Sequence, residues 1–347
     1  MLLKKCLSLK ANKMSIDWNN LGFEYMDTKC HVRYIWKNGS WNNGELVEDP
    51  YMNVHIGATS LHYGQACFEG LKAYRGVDGK VRIFLADENS KRLNSSARRT
   101  LMPEVPEETF INAVKTAVNE NIDFVPPYES GGALYIRPLL IGSGARIGIQ
   151  PADEYTFIVL VTPVGNYYKG GLKPVPAIIV DGYDRTAAGG TGSVKVAGNY
   201  AASLEPSKIA KDKGFPINLY LDSQEHRFID EFGTSNFIAL SGNKYITPKS
   251  DSILPSITNK SLMTIAEDMG IEVERRAIEI SEIEDFDAIG ACGTAVVITP
   301  VSEIHHQEKV YKVGDGTVHP QLHSLYDRMI SIQKGKTEDK FNWCINP

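Results

Sequence analysis

The chain has 347 residues, a formal net charge of −5 and a pI near 5.9, with 42% hydrophobic and 23% charged residues. This length allows two domains or one large one with a sizeable core, and the composition is that of an ordinary soluble globular protein. The charge balance gives no reason to expect nucleic acid or a membrane surface as a partner. No apolar run approaches the roughly 20 residues that span a bilayer.

Cysteine usage indicates a reducing compartment. Five cysteines are scattered singly with no C-x-x-C pair, and their spacing matches no common zinc pattern; they are Cys6, Cys30, Cys67, Cys292 and Cys344. We therefore expect reduced thiols, no metal site and a cytoplasmic location.

The N-terminal segment is basic, with four lysines and no acidic residue before Asp17. It lacks the apolar core and cleavage site of a secretory signal, and it has no arginine, unlike most organelle presequences. We expect residues 1–20 to form a disordered N-terminal extension, and we interpret Met14 as the true start, with the first thirteen residues upstream of it. A mitochondrial address is the alternative.

The first half of the chain predicts short strands at 30–34, 81–84, 132–141 and 156–162. Two helices are expected, one capped by Asp87 and running through Ala97, the other over 110–122. A linker at 164–174, rich in proline and glycine, follows.

The second half predicts strands at 175–180, 217–222, 227–232 and 236–240, and a helix over 261–269 that ends at Gly270. The pattern is that of an α+β chain with two subdomains that separate near residue 168. We place a small α/β domain at 21–163 and a large domain at 175–347.

One lysine lies in unusually apolar surroundings. Lys195 is the only charged residue between Arg185 and Glu205, in the stretch TAAGGTGSVKVAGNYAASL. Desolvation there would favour the neutral amine, which is the form that attacks a carbonyl. The alternative is a surface lysine in a flexible glycine-rich loop.

Further features accompany this lysine in the second half. The pair Asp230–Glu231 lies between apolar segments, where a carboxylate either pairs with a buried cation or marks an exposed hairpin corner. The segments 256–258 and 292–295 resemble phosphate-binding turns, although each is also a common structural cap.

At this point the sequence resembles the fold type IV aminotransferases, which use pyridoxal 5′-phosphate, and the branched-chain aminotransferase group in particular. The resemblance runs from about Trp36 to Ser302. It is carried by ordered blocks, namely SLHYGQACFEGLKAYRG, RIFLADENSKRL, LYIRPLLIGSG, PVGNYYKGG, KVAGNYAASL, DEFGTSNFIAL, SDSILPSITNKSL and GTAVVITPV. It implies two subdomains with the cofactor at their interface.

The resemblance also implies roles for single residues. Lys195 matches the catalytic Schiff-base lysine, Tyr200 a ligand of the cofactor's phenolic oxygen, and Glu231 the partner of its ring nitrogen. The implied phosphate ligands are Arg92, Ile257, Thr258 and Thr294.

The implied substrate pocket has an apolar side and a side that receives carboxylates. Tyr135 and Arg137 match the carboxylate side, although Arg137 would otherwise be a structural ion-pair partner, and Thr294 with Ala295 offers backbone N–H groups to the α-carboxylate. The apolar side matches Tyr63, Phe68, Gly70 and Tyr167. In this family some of these positions, Tyr63 among them, come from a partner subunit, so the resemblance implies a homodimer, with a higher oligomer as an alternative.

The implied activity is reversible, ping-pong transamination of leucine, isoleucine and valine with 2-oxoglutarate, giving branched 2-oxo acids and glutamate. Three alternatives keep the fold: a D-amino-acid aminotransferase, an aminodeoxychorismate lyase and a non-catalytic ligand-binding relative. The FEGLKAYRG and LYIRP blocks favour the branched-chain group over the first two. The presence of Lys195 and Glu231 argues against the third.

Overall fold

The computed structural model describes residues 16–165 and 171–347, which form two large sheets and seven α-helices. The strands of the first half are β1 His31–Lys37, β2 Ser40–Trp41, β3 Glu45–Val47, β4 Ala66–Phe68, β5 Leu71–Arg75, β6 Val81–Phe84, β7 Ala133–Gly142 and β8 Glu154–Val164. The strands of the second half are β9 Val175–Ile179, β10 Ile217–Leu221, β11 Ile229–Phe232, β12 Ser235–Ser241, β13 Lys244–Pro248, β14 Glu272–Arg276, β15 Ala288–Gly293, β16 Val297–His306, β17 Lys309–Lys312 and β18 Cys344–Ile345. The α-helices are α1 Thr59–Tyr63, α2 Ala86–Arg99, α3 Glu107–Glu120, α4 Ala197–Ala202, α5 Leu204–Asp212, α6 Ile257–Asp268 and α7 Pro320–Gln333.

The first sheet is antiparallel, with the order β18-β6-β5-β7-β8-β1-β2. Helix α3 covers it with Phe110, Val114 and Val118, whose spacing of four residues places them on one face of the helix. β7 and β8 pair over nearly their whole length, which holds the Tyr135–Arg137 stretch in the centre of the sheet.

The second sheet closes on itself. β11 pairs with both β10 and β12, so that β9, β10, β11, β12, β15 and β16 form a ring. Stacked rings of Phe232 and Phe237, 5.9 Å apart, lie in the core of this half. β9 and β10 are parallel and therefore need a long crossover connection, and this connection contains Lys195, α4 and α5.

The predicted α+β fold is confirmed, but all three predicted helices begin earlier than expected, α3 at Glu107 instead of residue 110. Asp87 does not cap α2: Leu85 occupies the N-cap in a left-handed conformation, and Asp87 lies in the first turn, where its charge favours the helix dipole. Helix α6 begins at Ile257, four residues earlier than predicted, because Ser256 caps it by accepting a hydrogen bond from the backbone N–H of Asn259.

Parts of two predictions lie outside the described residues: most of the N-terminal extension, and the centre of the linker, residues 166–170. The C-terminal strand β18 joins the first sheet beside β6, although the chain reaches it from the second half. Within the described ranges, no helix has the length and apolar character needed to cross a membrane.

Candidate active site

A cavity of about 860 Å³ is lined by residues from both halves of the chain. Many of the residues that the sequence nominated lie around it, although they come from distant segments of the chain. They are Phe68, Gly70, Arg92, Tyr135, Arg137, Lys195, Tyr200, Glu231, Thr294 and Ala295.

The other nominated residues lie elsewhere. Ile257 and Thr258 line a narrow cavity of about 20 Å³, which shares Gly70 and Thr294 with the large one. Tyr63 does not line the large cavity; it is 44% exposed on α1. Tyr167 lies outside the described residues.

The backbone of Lys195 is fixed between β4 and α2. Its carbonyl accepts a hydrogen bond from the N–H of Phe68 at 3.1 Å, and its own N–H donates to Ser96 Oγ at 2.9 Å. Its Nζ then extends into the cavity and donates to Tyr200 Oη at 2.6 Å. Tyr200 lies on α4, which begins at Ala197 just after the lysine, so local helix formation brings the two side chains together.

The electrostatics of the cavity favour a neutral Lys195. Burial, with the positive charges of Arg92 and Arg137, lowers its pKa to about 7, although the carboxylates of Glu69 and Glu231 act in the opposite direction. A lysine with this pKa exists substantially as the free amine at neutral pH. It can therefore act as a nucleophile and as a proton carrier.

Glu231 is a buried carboxylate that lines the cavity. Its Oε2 accepts from Asn236 Nδ2 at 2.7 Å, and its Oε1 accepts from the N–H of Leu254 at 2.9 Å and contacts Arg185. Burial raises the pKa of Glu231, and the charge of Arg185 opposes that rise. A carboxylate has about four acceptor positions, so one remains for a donor inside the cavity, as a protonated pyridine nitrogen would require.

Arg92 lies at one end of the cavity in a buried ion pair. Its guanidinium donates two hydrogen bonds to Glu69, at 2.8 and 2.7 Å, and a third to the carbonyl of Pro255 at 3.0 Å. Pro255 precedes the N-cap of α6, so the cation lies beside the first N–H groups of that helix. A cation beside the first N–H groups of a helix has the chemistry that suits a phosphate. Together with the carboxylate of Glu231, it makes the cavity lining one that fits pyridoxal phosphate.

Another part of the cavity lining combines aromatic rings with a cation. Arg137 lies 4.7 Å from the ring centroid of Phe68 and donates to Tyr135 Oη at 3.1 Å. The turn between β15 and β16 contains Thr294 and Ala295 and is followed by Val297, whose φ of +64° is strained for a β-branched residue.

Several residues of the site were not found from the sequence. Glu69, Arg185 and Asn236 contact the nominated residues directly, and Lys72 donates to the carbonyl of Ala295 at 2.8 Å. Glu69 and Lys72 are charged residues inside the apolar FEGLKAYRG block, and this position could have indicated that they belong to the site. Nothing in the local sequence distinguishes Arg185.

Comparisons with known proteins agree with this geometry. The amino-transferase class IV family model matches residues 66–304. The chain is 47% identical over 338 residues to a branched-chain-amino-acid aminotransferase of Haemophilus influenzae, covering 95% of this chain and 98% of that protein.

Solved structures resemble it as well. The branched-chain amino acid aminotransferase of Escherichia coli has a TM-score of 0.76 at 26% identity, covering 90% of this chain and 98% of the other. The branched-chain aminotransferase of the thermophilic archaeon Thermoproteus uzoniensis, solved with norvaline, has a TM-score of 0.74 at 25% identity, covering 91% of this chain and 99% of the other. The chain belongs to the class IV aminotransferases and, within them, to the branched-chain-amino-acid aminotransferases.

Proposed function

We propose that this chain transfers the amino group of leucine, isoleucine or valine to 2-oxoglutarate, reversibly and by a ping-pong scheme, with pyridoxal 5′-phosphate as cofactor. The observation that carries the proposal is the Lys195 amine, which lies 2.6 Å from the Tyr200 hydroxyl in a cavity that also contains the buried Glu231 carboxylate. These three groups have the chemistry that the cofactor needs.

The proposed cofactor ligands divide by chemical type. Lys195 holds the cofactor covalently, Tyr200 donates to its phenolic oxygen, and Glu231 accepts from its ring nitrogen. The phosphate is assigned to Arg92, Ile257, Thr258 and Thr294. When bound, the cofactor supplies an aldehyde for attachment of an amine and a ring that accepts the electron pair of the broken Cα–H bond.

Lys195 is proposed to carry the proton. Its Nζ takes the Cα proton as a neutral amine and gives a proton back as an ammonium. A pKa of about 7 suits both directions, because neither protonation state is rare at neutral pH. Glu231 keeps a negative charge next to the ring nitrogen. Burial raises the pKa of Glu231, and the charge of Arg185 opposes that rise.

The substrate pocket is proposed to accept two kinds of side chain. Phe68, Gly70 and Tyr135 form an apolar wall for a branched aliphatic group. Arg137, which lies over the Phe68 and Tyr135 rings, pairs with the γ-carboxylate of glutamate. The turn at Thr294 and Ala295 offers backbone N–H groups to the α-carboxylate. Tyr63 and Tyr167 are assigned to the apolar side.

We also propose a homodimer in which Tyr63 serves the partner's site. Tyr63 contacts the carbonyl of Ile147, and the two segments carry exposed apolar side chains, including Ile56, Leu61 and Ile147 at 84%, 64% and 78% exposure. A patch of this kind on a soluble protein marks an interaction surface. Sedimentation analysis tests it, since a monomer at micromolar concentration would contradict the proposal.

The domain bounds and the location remain proposals: an extension at 1–20, a small domain at 21–163, a linker at 164–174, a large domain at 175–347, and a cytoplasmic enzyme. Among the residues that the structure describes, Cys67, Cys292 and Cys344 are free thiols, as a reducing compartment favours.

The absorbance spectrum of the purified protein, with leucine and D-alanine added separately, tests the activity. We expect a cofactor band that leucine shifts and D-alanine does not. Lys195→Ala should abolish the covalent band and the activity. Lys208→Ala, which removes a lysine whose side chain is 74% exposed, should leave both unchanged.

Each other outcome has a defined meaning. A shift with D-alanine alone would assign the chain to D-amino-acid chemistry. A protein that gives no band after incubation with pyridoxal phosphate would contradict the catalytic proposal.

A further inference from the structure

A second cavity, of about 140 Å³, lies on the other side of the Thr294–Ala295 turn. Ala295 lines both this cavity and the large one, so the turn separates them. Two lysines, Lys72 from β5 and Lys334 from the end of α7, line the second cavity.

Neither ammonium has a carboxylate partner. Lys72 is only 7% exposed, and its Nζ donates to the neutral carbonyl of Ala295 at 2.8 Å; Lys334 Nζ donates to the carbonyl of Gly131 at 3.2 Å. No ion pair to either lysine occurs in residues 16–165 or 171–347, and the remaining ranges contain no aspartate or glutamate. No carboxylate of the chain therefore balances the positive charge of this cavity.

Leaving two cations in this position is costly. Burial and the charge of Lys334 lower the pKa of Lys72 to about 7, and burial lowers that of Lys334. Buried charges in proteins are usually paired. An anion between these two groups would supply the missing charge.

We propose that this cavity binds a small oxyanion, either a monocarboxylate or inorganic phosphate, between Lys72 and Lys334. Each ammonium has three donors and uses one on a carbonyl, so four remain. A water occupies about 30 Å³, so the cavity holds roughly four waters or one anion of a few heavy atoms. It is too small for the cofactor.

An anion at this position would also affect substrate binding. This effect rests on the proposed function, whereas the binding of the anion does not. Lys72 holds the carbonyl of Ala295, and Val297 at the end of the same turn is strained. An anion that keeps Lys72 protonated strengthens the hydrogen bond from Lys72 to this carbonyl. The α-carboxylate turn would then be more rigid and the KM for amino acids lower.

Calorimetric titration of the cofactor-loaded protein with acetate and, separately, with phosphate tests the site directly, at constant ionic strength with a bulky sulfonate as counter-ion. We expect a single binding site for at least one of the two anions. The anion that binds shows whether the site takes a carboxylate or a phosphate. Lys334→Met should weaken binding about tenfold or more, which corresponds to at least one lost charge contact. Lys208→Met, the same charge change at a side chain that is 74% exposed, should leave it unchanged.

Stability separates loss of the site from loss of the fold. In anion-free buffer Lys334→Met should melt no lower than the wild type, because it removes an unpaired charge, and Lys334→Arg should keep anion binding. A wild type that binds neither anion, or a Lys334→Met variant that is folded and binds as tightly as the wild type, would overturn the proposal. Neither result depends on whether the protein transaminates leucine.

Discussion

The guanidinium of Arg185 contacts the carboxylate of Glu231 inside the active-site cavity, and the two side chains are only 9% and 4% exposed. Burial alone would favour the protonated acid, which cannot hold a protonated ring nitrogen. The neighbouring cation opposes this effect. Arg185 is therefore a positioning residue for the ionised state of Glu231.

Arg185→Met should destabilise the cofactor-free protein by about 3–5 kcal/mol, since it leaves one partner of a buried ion pair alone. Chemical unfolding at one protein concentration measures this. Arg227→Met, which breaks pairs with side chains that are about half exposed, is the control and should change stability by less than about 1 kcal/mol. Equal effects of the two substitutions would show that the buried pair has no special role.

Glu69→Gln should destabilise the cofactor-free protein more than the loaded one. Glu69 is fully buried and balances the charge of Arg92. When a phosphate lies beside Arg92, it supplies negative charge that the substitution removed. We expect a loss of about 2–4 kcal/mol without cofactor and a clearly smaller loss with it, from parallel unfolding curves. An identical loss in both forms would argue against phosphate binding at Arg92.

The rate of covalent cofactor attachment should rise with pH and level off just above pH 7. The reactive form is the neutral amine, and the pKa of Lys195 is about 7, so about nine tenths of it is neutral at pH 8, against less than about one hundredth for an ordinary lysine. Arg137→Met removes a charge that lowers this pKa, and it should move the inflection to higher pH. Arg98→Met, at an exposed position, should not. A rate that keeps rising to pH 10 would contradict the lowered pKa.

Gly70→Ala should impair leucine binding without unfolding the protein. A Cβ at this position would lie 2.1 Å from Tyr135 Oη and 2.9 Å from its Cζ, so the ring must move away from Arg137. We expect a KM for leucine raised about tenfold, a cost of about 1.4 kcal/mol. Gly148→Ala, where nothing lies within 4 Å of the added atom, is the control. Combining Gly70→Ala with Tyr135→Ala should add little to the effect of the latter alone.

The sequence by itself determined the elements whose residues follow a local period. The strands at β6, β9 and β10 were located almost to the residue, because apolar runs bounded by turn residues depend only on near neighbours. The helix starts were less accurate. The caps at Leu85 and Ser256 depend on backbone conformation and on one hydrogen bond, which composition does not show.

The ordered motifs also determined Lys195, Tyr200 and Glu231 as candidates, and the chain path then placed all three in one cavity. Lys195 and Tyr200 were within reach of sequence reasoning because a single helical turn joins them.

Only the tertiary structure decided how the charges are balanced. Arg92 meets Glu69 across 23 residues, and Lys72 meets the carbonyl of Ala295 across 223, where no sequence period connects the partners. The same holds for Arg185 beside Glu231 and for the two unpaired lysines of the second cavity. A local sequence pattern shows how apolar the neighbouring residues along the chain are. Which charged group comes to lie next to a side chain depends on how the second sheet closes and on how that sheet packs against the first.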